Sequence, residues 1–285
     1  MTSKKRSRIK AVVVAAAALA VVAAGLGVAH AATRPAPVTP QAATWAPPPA
    51  NAGFDYQIGS PYQPPAGVKV VSRDYTAAVA AGLYNICYVN AFQTQADAAA
   101  KRWWETNHPS VLLRDSKGKP VVDPDWNEYL LDFSTAAKRA ELTQVVGGWI
   151  STCASKGFQG VEPDNLDSYS RSGGRLKKAD ALAYAASLAA YAHGKKLAIG
   201  QKNTADLSAA ESRTAGFDFA VAEECGEWDE CDAYTSTYGN NVVVIEYTAN
   251  GFGKACKQFG SRLSIVLRDV DVTAPGSGTY KFKTC

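Results

Sequence analysis

Apolar and β-branched residues fall in short runs along this chain: "FDYQI" (54–58), "VKVVS" (68–72), "YNICYVN" (84–90), "SVLL" (110–113), "FQGVE" (158–162), "LAIGQ" (197–201), "FDFAVA" (217–222), "VVVIEY" (242–247) and "LSIVL" (263–267). Runs of that length and make-up predict strands. Between several of them lie Ala-rich stretches of helical period. The clearest are "SLAAYAHG" ahead of Lys195 and "TAAKRAELTQVVGGWISTCASKG" ahead of Phe158. Each closes on a glycine, the residue that most easily ends a helix at C′. Strands alternating with helices predict βαβ units and a parallel sheet. Eight or nine strands in the roughly 230 residues after Gly53 predict an α/β protein, a single (β/α)8 TIM-like barrel, over an open doubly wound sheet. No GxGxxG follows a strand, which counts against dinucleotide binding.

Ahead of this pattern the chain reads differently. Lys4, Lys5, Arg6, Arg8 and Lys10 precede an unbroken apolar run, Ala11–Val28, and Ala29-His30-Ala31 offers small residues where a signal peptidase reads. Residues 1–31 are therefore expected to be a signal peptide; an uncleaved membrane anchor is the competing reading. Residues 32–53, rich in Pro and Ala, read as a linker, and 54–285 as the barrel domain. The expected product is secreted and monomeric, with no stable membrane association once the leader is gone.

Charge changes the picture once the leader is set aside. The chain has 30 Lys+Arg against 26 Asp+Glu. Five of the basic residues and none of the acidic ones lie in residues 1–31, so the remainder is close to neutral. A nucleic-acid partner is not expected. Six cysteines, Cys87, Cys153, Cys225, Cys231, Cys256 and Cys285, are an even number in an exported chain, so a disulfide framework is the default. Cys225 and Cys231 are close enough to staple one loop, and Cys256 with Cys285 would tie down the C-terminus, which leaves Cys87 with Cys153. Other pairings remain open. The spacing has no paired CxxC units for zinc.

The polar residues at the predicted strand ends carry the candidate chemistry. Asp55 and Gln57 sit on the first strand, and Arg73-Asp74 follow the second. Tyr88 and Asn90 end the third, Asp164 the fifth, and Lys202-Asn203 the sixth. Glu223-Glu224 end the seventh and Glu246-Tyr247 the eighth. In such a barrel the loops after the strand C-termini build the active site. Histidine is scarce, His108 and His193 being the only ones outside the leader, and neither accompanies a plausible nucleophile. Carboxylates remain. Two of them across a cavity are the minimal equipment of a glycosidase, one protonating the leaving oxygen while the other attacks or activates water. Strands five and seven are close enough to share a pocket, and aromatic residues for sugar stacking (Tyr56, Tyr62, Trp126, Tyr169, Trp228) lie near the strand ends.

Plainer readings compete. Asp164 and Asp167 also suit an Asx turn or a helix N-cap. With Glu162 they place three carboxylates within six residues, a spacing a hard cation accepts. Glu223-Glu224 beside Cys225 also reads as a solvated loop, and Lys202 as a rim salt-bridge partner.

The stretches "FDYQIG", "AGLYNICYVNAFQTQ", "GFQGVEPDNLDSY", "IGQKN", "DFAVAEECGEWDEC" and "VIEYT" together resemble glycoside hydrolase family 114, the endo-α-1,4-polygalactosaminidases, over Phe54–Val270. The resemblance implies a TIM-like barrel that cleaves α-1,4-linked galactosamine polymers, partly or wholly N-acetylated, with no cofactor and no metal. Its "DN..D" acid falls on Asp164 and its "NE.C" acid on Glu223, where this chain has Ala222 in place of the usual Asn. Glu224 is the rival for the second position. Alternation favours Glu223, provided the face of Phe219 and Val221 turns into the lumen. Asp55, Gln57, Tyr88, Asp167, Lys202, Asn203 and Glu246 are expected to line the sugar subsites. A deacetylated polymer is a polycation, and a cleft with this many carboxylates would steer it inward. The alternatives are a carbohydrate-binding barrel without turnover and a glycosidase of another α-linked sugar.

Overall fold

The computed structural model describes residues 45–285; the expected leader and most of the expected linker lie outside them. In chain order the strands are β1 Gly53–Gln57, β2 Val68–Asp74, β3 Tyr84–Asn90, β4 Val122–Asp123, β5 Glu128–Tyr129, β6 Gly160–Asp164, β7 Ala198–Lys202, β8 Phe219–Glu223, β9 Val242–Glu246, β10 Ser264–Arg268 and β11 Phe282–Thr284. The helices are α1 Ala98–Asn107, α2 Ala136–Lys156, α3 Lys178–Gly194, α4 Ala209–Ala215, α5 Cys231–Tyr238 and α6 Ala249–Phe259. The main sheet runs β1-β2-β3-β6-β7-β8-β9-β10, every neighbour parallel, and β11 adds antiparallel to the outer edge of β10. β1 and β10 come side by side, and the sheet is a nearly closed, TIM-like barrel. Instead of a ladder, the seam carries a buried ion pair from Arg268 Nη1 to Asp55 Oδ1 at 2.9 Å.

Two features depart from the strand pattern. The run "SVLL" is no barrel strand: Pro109–Val111 form a 3-10 turn, and Leu112 only bridges Leu131. Val111, Leu112, Leu113, Leu130, Leu131 and Phe133 are buried together under the β4–β5 excursion, so the run is apolar for a reason unrelated to the barrel. A short apolar run cannot by itself tell those environments apart. In consequence Asp164 ends the fourth barrel strand and Glu223 the sixth, not the fifth and seventh. The β1–β2 and β2–β3 connections also carry no helix.

The two predicted helices form. Thr135 caps α2 through its hydroxyl, and Gly157 closes it at φ 88°. α3 runs through Gly194, and the left-handed residue beyond it is Lys196, φ 63°.

The lumen is filled by Phe54, Tyr56, Val70, Ile86, Ala198, Phe219, Val221, Val243, Ile245 and Val266. Because side chains alternate along a strand, these positions fix which residues face inward at the C-terminal mouth. Gly200 makes room for Phe219: a Cβ there would lie 2.8 Å from that ring. The opposite faces pack on the helices in two further apolar clusters.

Below the barrel, residues 45–52 form a strap across the strand N-termini. Trp45 stacks on His193 with ring centroids 4.0 Å apart, and its Nε1 donates to Asp218 at 3.1 Å. Tyr84 donates to the Ala46 carbonyl, Asn241 to that of Pro48, and the Ala52 N–H to Ser264. The end of the expected linker, from Trp45 on, is therefore part of the fold. The disulfides are Cys87–Cys153, joining β3 to α2, Cys225–Cys231 in the loop after β8, and Cys256–Cys285, holding the C-terminus to α6.

Candidate active site

Inward positions at the strand ends converge on one ammonium. Lys202 of β7 is 2 % exposed. Its Nζ lies 2.8 Å from Glu162 Oε1, 3.2 Å from Glu223 Oε2 and 3.5 Å from Asp164 Oδ1, and it donates to the Tyr56 hydroxyl at 2.9 Å. Burial works against the charged amine, but Asp164, Glu162 and Glu223 outweigh it and hold the Lys202 pKa well above its ordinary value. The lysine is a buried cation at the barrel axis, not a rim salt-bridge partner.

Each carboxylate has its own further donors. Glu162, fully buried one turn of alternation below Asp164, accepts from Tyr56 at 2.7 Å and from Ser72 at 2.6 Å. Burial raises its pKa even so, against the pull of Lys202. Asp164 Oδ2 accepts from Tyr88 at 2.7 Å. Glu223 accepts from Asn203 Nδ2 at 2.9 Å and from the Tyr247 hydroxyl, and its own N–H donates to Asn203 Oδ1. Burial first, then the nearby carboxylates, raise the hydroxyl pKa values of Tyr56, Tyr88 and Tyr247 well above that of free tyrosine. All three remain neutral donors at any pH at which the protein works.

Backbone geometry at the strand ends supports this arrangement. Asn165, Asn203 and Glu224, each directly after a site residue, take left-handed φ of 67°, 46° and 58°. Non-glycine residues in that region are uncommon and cluster where a chain must turn sharply at a site. At the Glu224 turn Phe219 and Val221 face the lumen and Glu223 continues that face, while the Glu224 N–H bonds to the Ile245 carbonyl at 2.7 Å and Glu224 lines the same cavity.

A cavity of about 630 Å³ opens above these groups. Tyr56, Tyr88, Asp164, Asn203, Glu223 and Tyr247 form its floor, and Trp126, Glu128, Asp167, Arg171, Glu224 and Val270 are among its walls. Another cavity, about 660 Å³, lies between the β1–β2 and β2–β3 loops among Pro61, Pro64, Pro65 and Arg73, and holds none of the lumen carboxylates.

Of the expected site residues, Asp164, Glu223, Tyr88, Lys202 and Asn203 come together, and Asp167 lines the wall, paired with Arg171 at 2.8 Å. Asp55, Gln57 and Glu246 do not join them. Asp55 and Gln57 lie on the face of β1 opposite Tyr56, where Gln57 Nε2 donates to Asp55 and Arg73 Nε to Gln57; their work is to hold the seam. Glu246 is fully buried behind the β8 loop, accepting the Gly226 N–H at 2.6 Å. Burial raises its pKa to about 7. The inward residue at that strand end is Tyr247.

From the sequence Ser72 and Asn165 have no place at the site and Glu162 stands only as one of three clustered carboxylates, although counting back by two from each inward residue reaches both Ser72 and Glu162. Glu128 and Asp123 had no signal, since they enter on strands of two residues.

A parallel α/β barrel whose C-terminal mouth sets two carboxylates beside one cation over a sugar-sized cavity is the architecture of a barrel glycosidase. Residues 34–285 match the model of glycoside-hydrolase family GH114, and the chain belongs to that family; it is a glycoside hydrolase. Among solved structures it is similar to Aspergillus fumigatus Ega3, determined as a complex with galactosamine, at 23% identity and TM-score 0.67. The match covers 86% of this chain and 99% of that one. It is also similar to the glycoside hydrolase domain of PelA from Pseudomonas aeruginosa, at 14% identity and TM-score 0.52, over 80% of this chain and 98% of that one. At these identities the likeness is one of fold. No curated protein matches the chain.

Proposed function

We propose that this enzyme is an exported, endo-acting hydrolase of α-1,4-linked galactosamine polymers, partly or wholly N-acetylated, with Asp164 and Glu223 as the catalytic pair. The observation that carries the pair is their shared position: each lies within 3.5 Å of Lys202 Nζ, and both face the same cavity. Membership of GH114 and the galactosamine held by Ega3 support the substrate class. Export is supported by the leader-like N-terminus and by the pairing of all six cysteines. Among the described residues no helix is long and apolar enough to cross a membrane.

In this reading one carboxyl gives its proton to the glycosidic oxygen as the bond to the anomeric carbon breaks, and the other meets the positive charge that develops there. Placed end to end, the two Lys202 distances keep the facing oxygens of Asp164 and Glu223 within about 7 Å, a bound that admits both the roughly 5–5.5 Å carboxyl separation used for retention and the 6.5–9.5 Å used for inversion. The second carboxylate then either attacks the anomeric carbon, giving a covalent glycosyl-enzyme later opened by water, or activates a water that does so. Lys202 keeps three neighbouring acids from repelling one another. Tyr88 and Tyr247, unable to ionise, orient Asp164 and Glu223.

The test is a reducing-end and mass-spectrometric assay of residues 45–285 on α-1,4-galactosaminogalactan. Wild type should release oligosaccharides. Asp164→Asn and Glu223→Gln should each lose about 10²-fold or more in turnover with unchanged circular dichroism. A loss below about tenfold in each refutes the pair.

A further inference from the structure

Four of the eight carboxylates lining the cavity, Asp123, Asp164, Asp167 and Glu223, have a cation. Asp164 and Glu223 share Lys202; Asp123 and Asp167 share Arg171, each at 2.8 Å. Glu128, on β5 in the cavity wall, has none: among the described residues no lysine, arginine or histidine pairs with it, and Asn165 Nδ2 stands 3.5 Å off. The β4–β5 hairpin holds it opposite Asp123 in register. Burial pushes its pKa up to about 7, the Asn90 hydrogen bond opposes this, Asp164 and Asp123 add to the rise, and Arg171 opposes it.

Withdrawing a carboxylate from water without a partner is costly, and here the vacancy faces the space a ligand would fill. On the same hairpin Trp126 is 58 % exposed and lines the same cavity. An aromatic face beside an unpaired anion matches a sugar ring that carries a cation: the ring stacks, and the ammonium meets the carboxylate. Asp125, Glu224 and Asp271 also lack a cation, but Asp125 and Asp271 are exposed to water, and Trp228 of the Glu224 loop is not part of the cavity wall.

We propose that Glu128 is a specificity-determining residue, accepting the protonated amine of a hexosamine unit whose ring stacks on Trp126, so that this subsite selects de-N-acetylated units over N-acetylated ones. The proposal rests on the amino-sugar reading of the cleft given above. An acetamide carries no charge and would leave Glu128 unpaired; galactose would lose the same contact.

Galactosamine, N-acetylgalactosamine and galactose are monosaccharides with no glycosidic bond to cleave, so their binding to residues 45–285 can be titrated by NMR without turnover. Wild type should prefer galactosamine over the other two by about tenfold or more, the worth of one charged hydrogen bond. Glu128→Gln should abolish that preference, with its melting temperature reported alongside. Trp126→Ala should weaken all three sugars together. In wild type the preference should shrink from pH 7.5 to pH 5.5 as Glu128 is protonated, although the amine becomes more fully charged over the same range. The proposal is overturned if wild type shows no preference or binds none of the sugars. It is equally overturned if Glu128→Gln keeps the wild-type ratio, or if the ratio is independent of pH. A protein that binds galactosamine through Glu128 but cleaves no polymer would refute the proposed function and leave this inference standing. One that cleaves the polymer while Glu128→Gln keeps the ratio would do the reverse.

Discussion

Replacing Lys202 by methionine keeps the bulk of the side chain and removes the charge at the barrel axis. Three acids then face one another without a cation, and Glu162, fully buried, is left with only the hydroxyls of Tyr56 and Ser72. Breaking a buried ion pair from one side costs about 3–5 kcal/mol, because the other charge stays in place. Glu162 has an escape: its pKa is already raised by burial, and without the lysine it rises further, so the acid takes up a proton. A carboxyl whose folded pKa exceeds its unfolded one gives its full stability below the unfolded value. It loses stability as pH climbs toward the folded one, by up to about 1.4 kcal/mol per pH unit. The variant should therefore lie close to wild type near pH 4.5 and fall progressively behind as pH rises. At neutral pH the deficit should approach about 3–5 kcal/mol, or roughly 6–20 °C in melting temperature for a domain of this size. Calorimetric melts of both proteins from pH 4.5 to 8 measure it. A deficit under about 1 kcal/mol, equal at both ends of that range, would show that Lys202 does not neutralise this site.

Three further outcomes follow from the same structure. If the enzyme retains configuration, NMR of the first product on an α-linked oligomer will show the α anomer before mutarotation; initial β product would mean the carboxyls act across a water. Turnover of deacetylated polymer should fall as salt rises from about 20 to 500 mM and fall less for fully acetylated polymer, because screening removes attraction between a polycation and the acidic mouth. Equal salt dependence would end the steering idea. Trp45→Ala removes a stack and a hydrogen bond beneath the barrel and should cost about 1–3 kcal/mol in urea unfolding with kcat unchanged; a matching loss of kcat would mean the strap reaches the mouth energetically.

The strands were readable because a barrel strand is apolar on both faces and stands out as a run. That same property hid which face looks inward. Polar residues at a strand end come in neighbours, such as Asp55 with Tyr56 or Glu246 with Tyr247, and only one parity reaches the cavity. Choosing the polar member by chemistry alone therefore selected Asp55, Gln57 and Glu246, which bond on the outer side. Glu223 is on the lumen-facing parity because Phe219 and Val221 carry that parity to it. The β4–β5 hairpin was invisible for another reason: two-residue strands have no period, and "SVLL" beneath it imitates a barrel strand. Lys202 was visible as a polar strand end, but its place between three carboxylates on two other strands depends on register across β6, β7 and β8, which no local pattern encodes.

The strap has a practical meaning for the use of this enzyme. Trp45 to Ala52 lie against the beginnings of strands β3, β8, β9 and β10, while the cavity opens at their ends. A tether joined ahead of Trp45 therefore leaves from the side opposite the opening. Coupled to a bead or a coated surface by that end, every molecule would present its cleft outward, toward polymer too large to diffuse between enzyme and support.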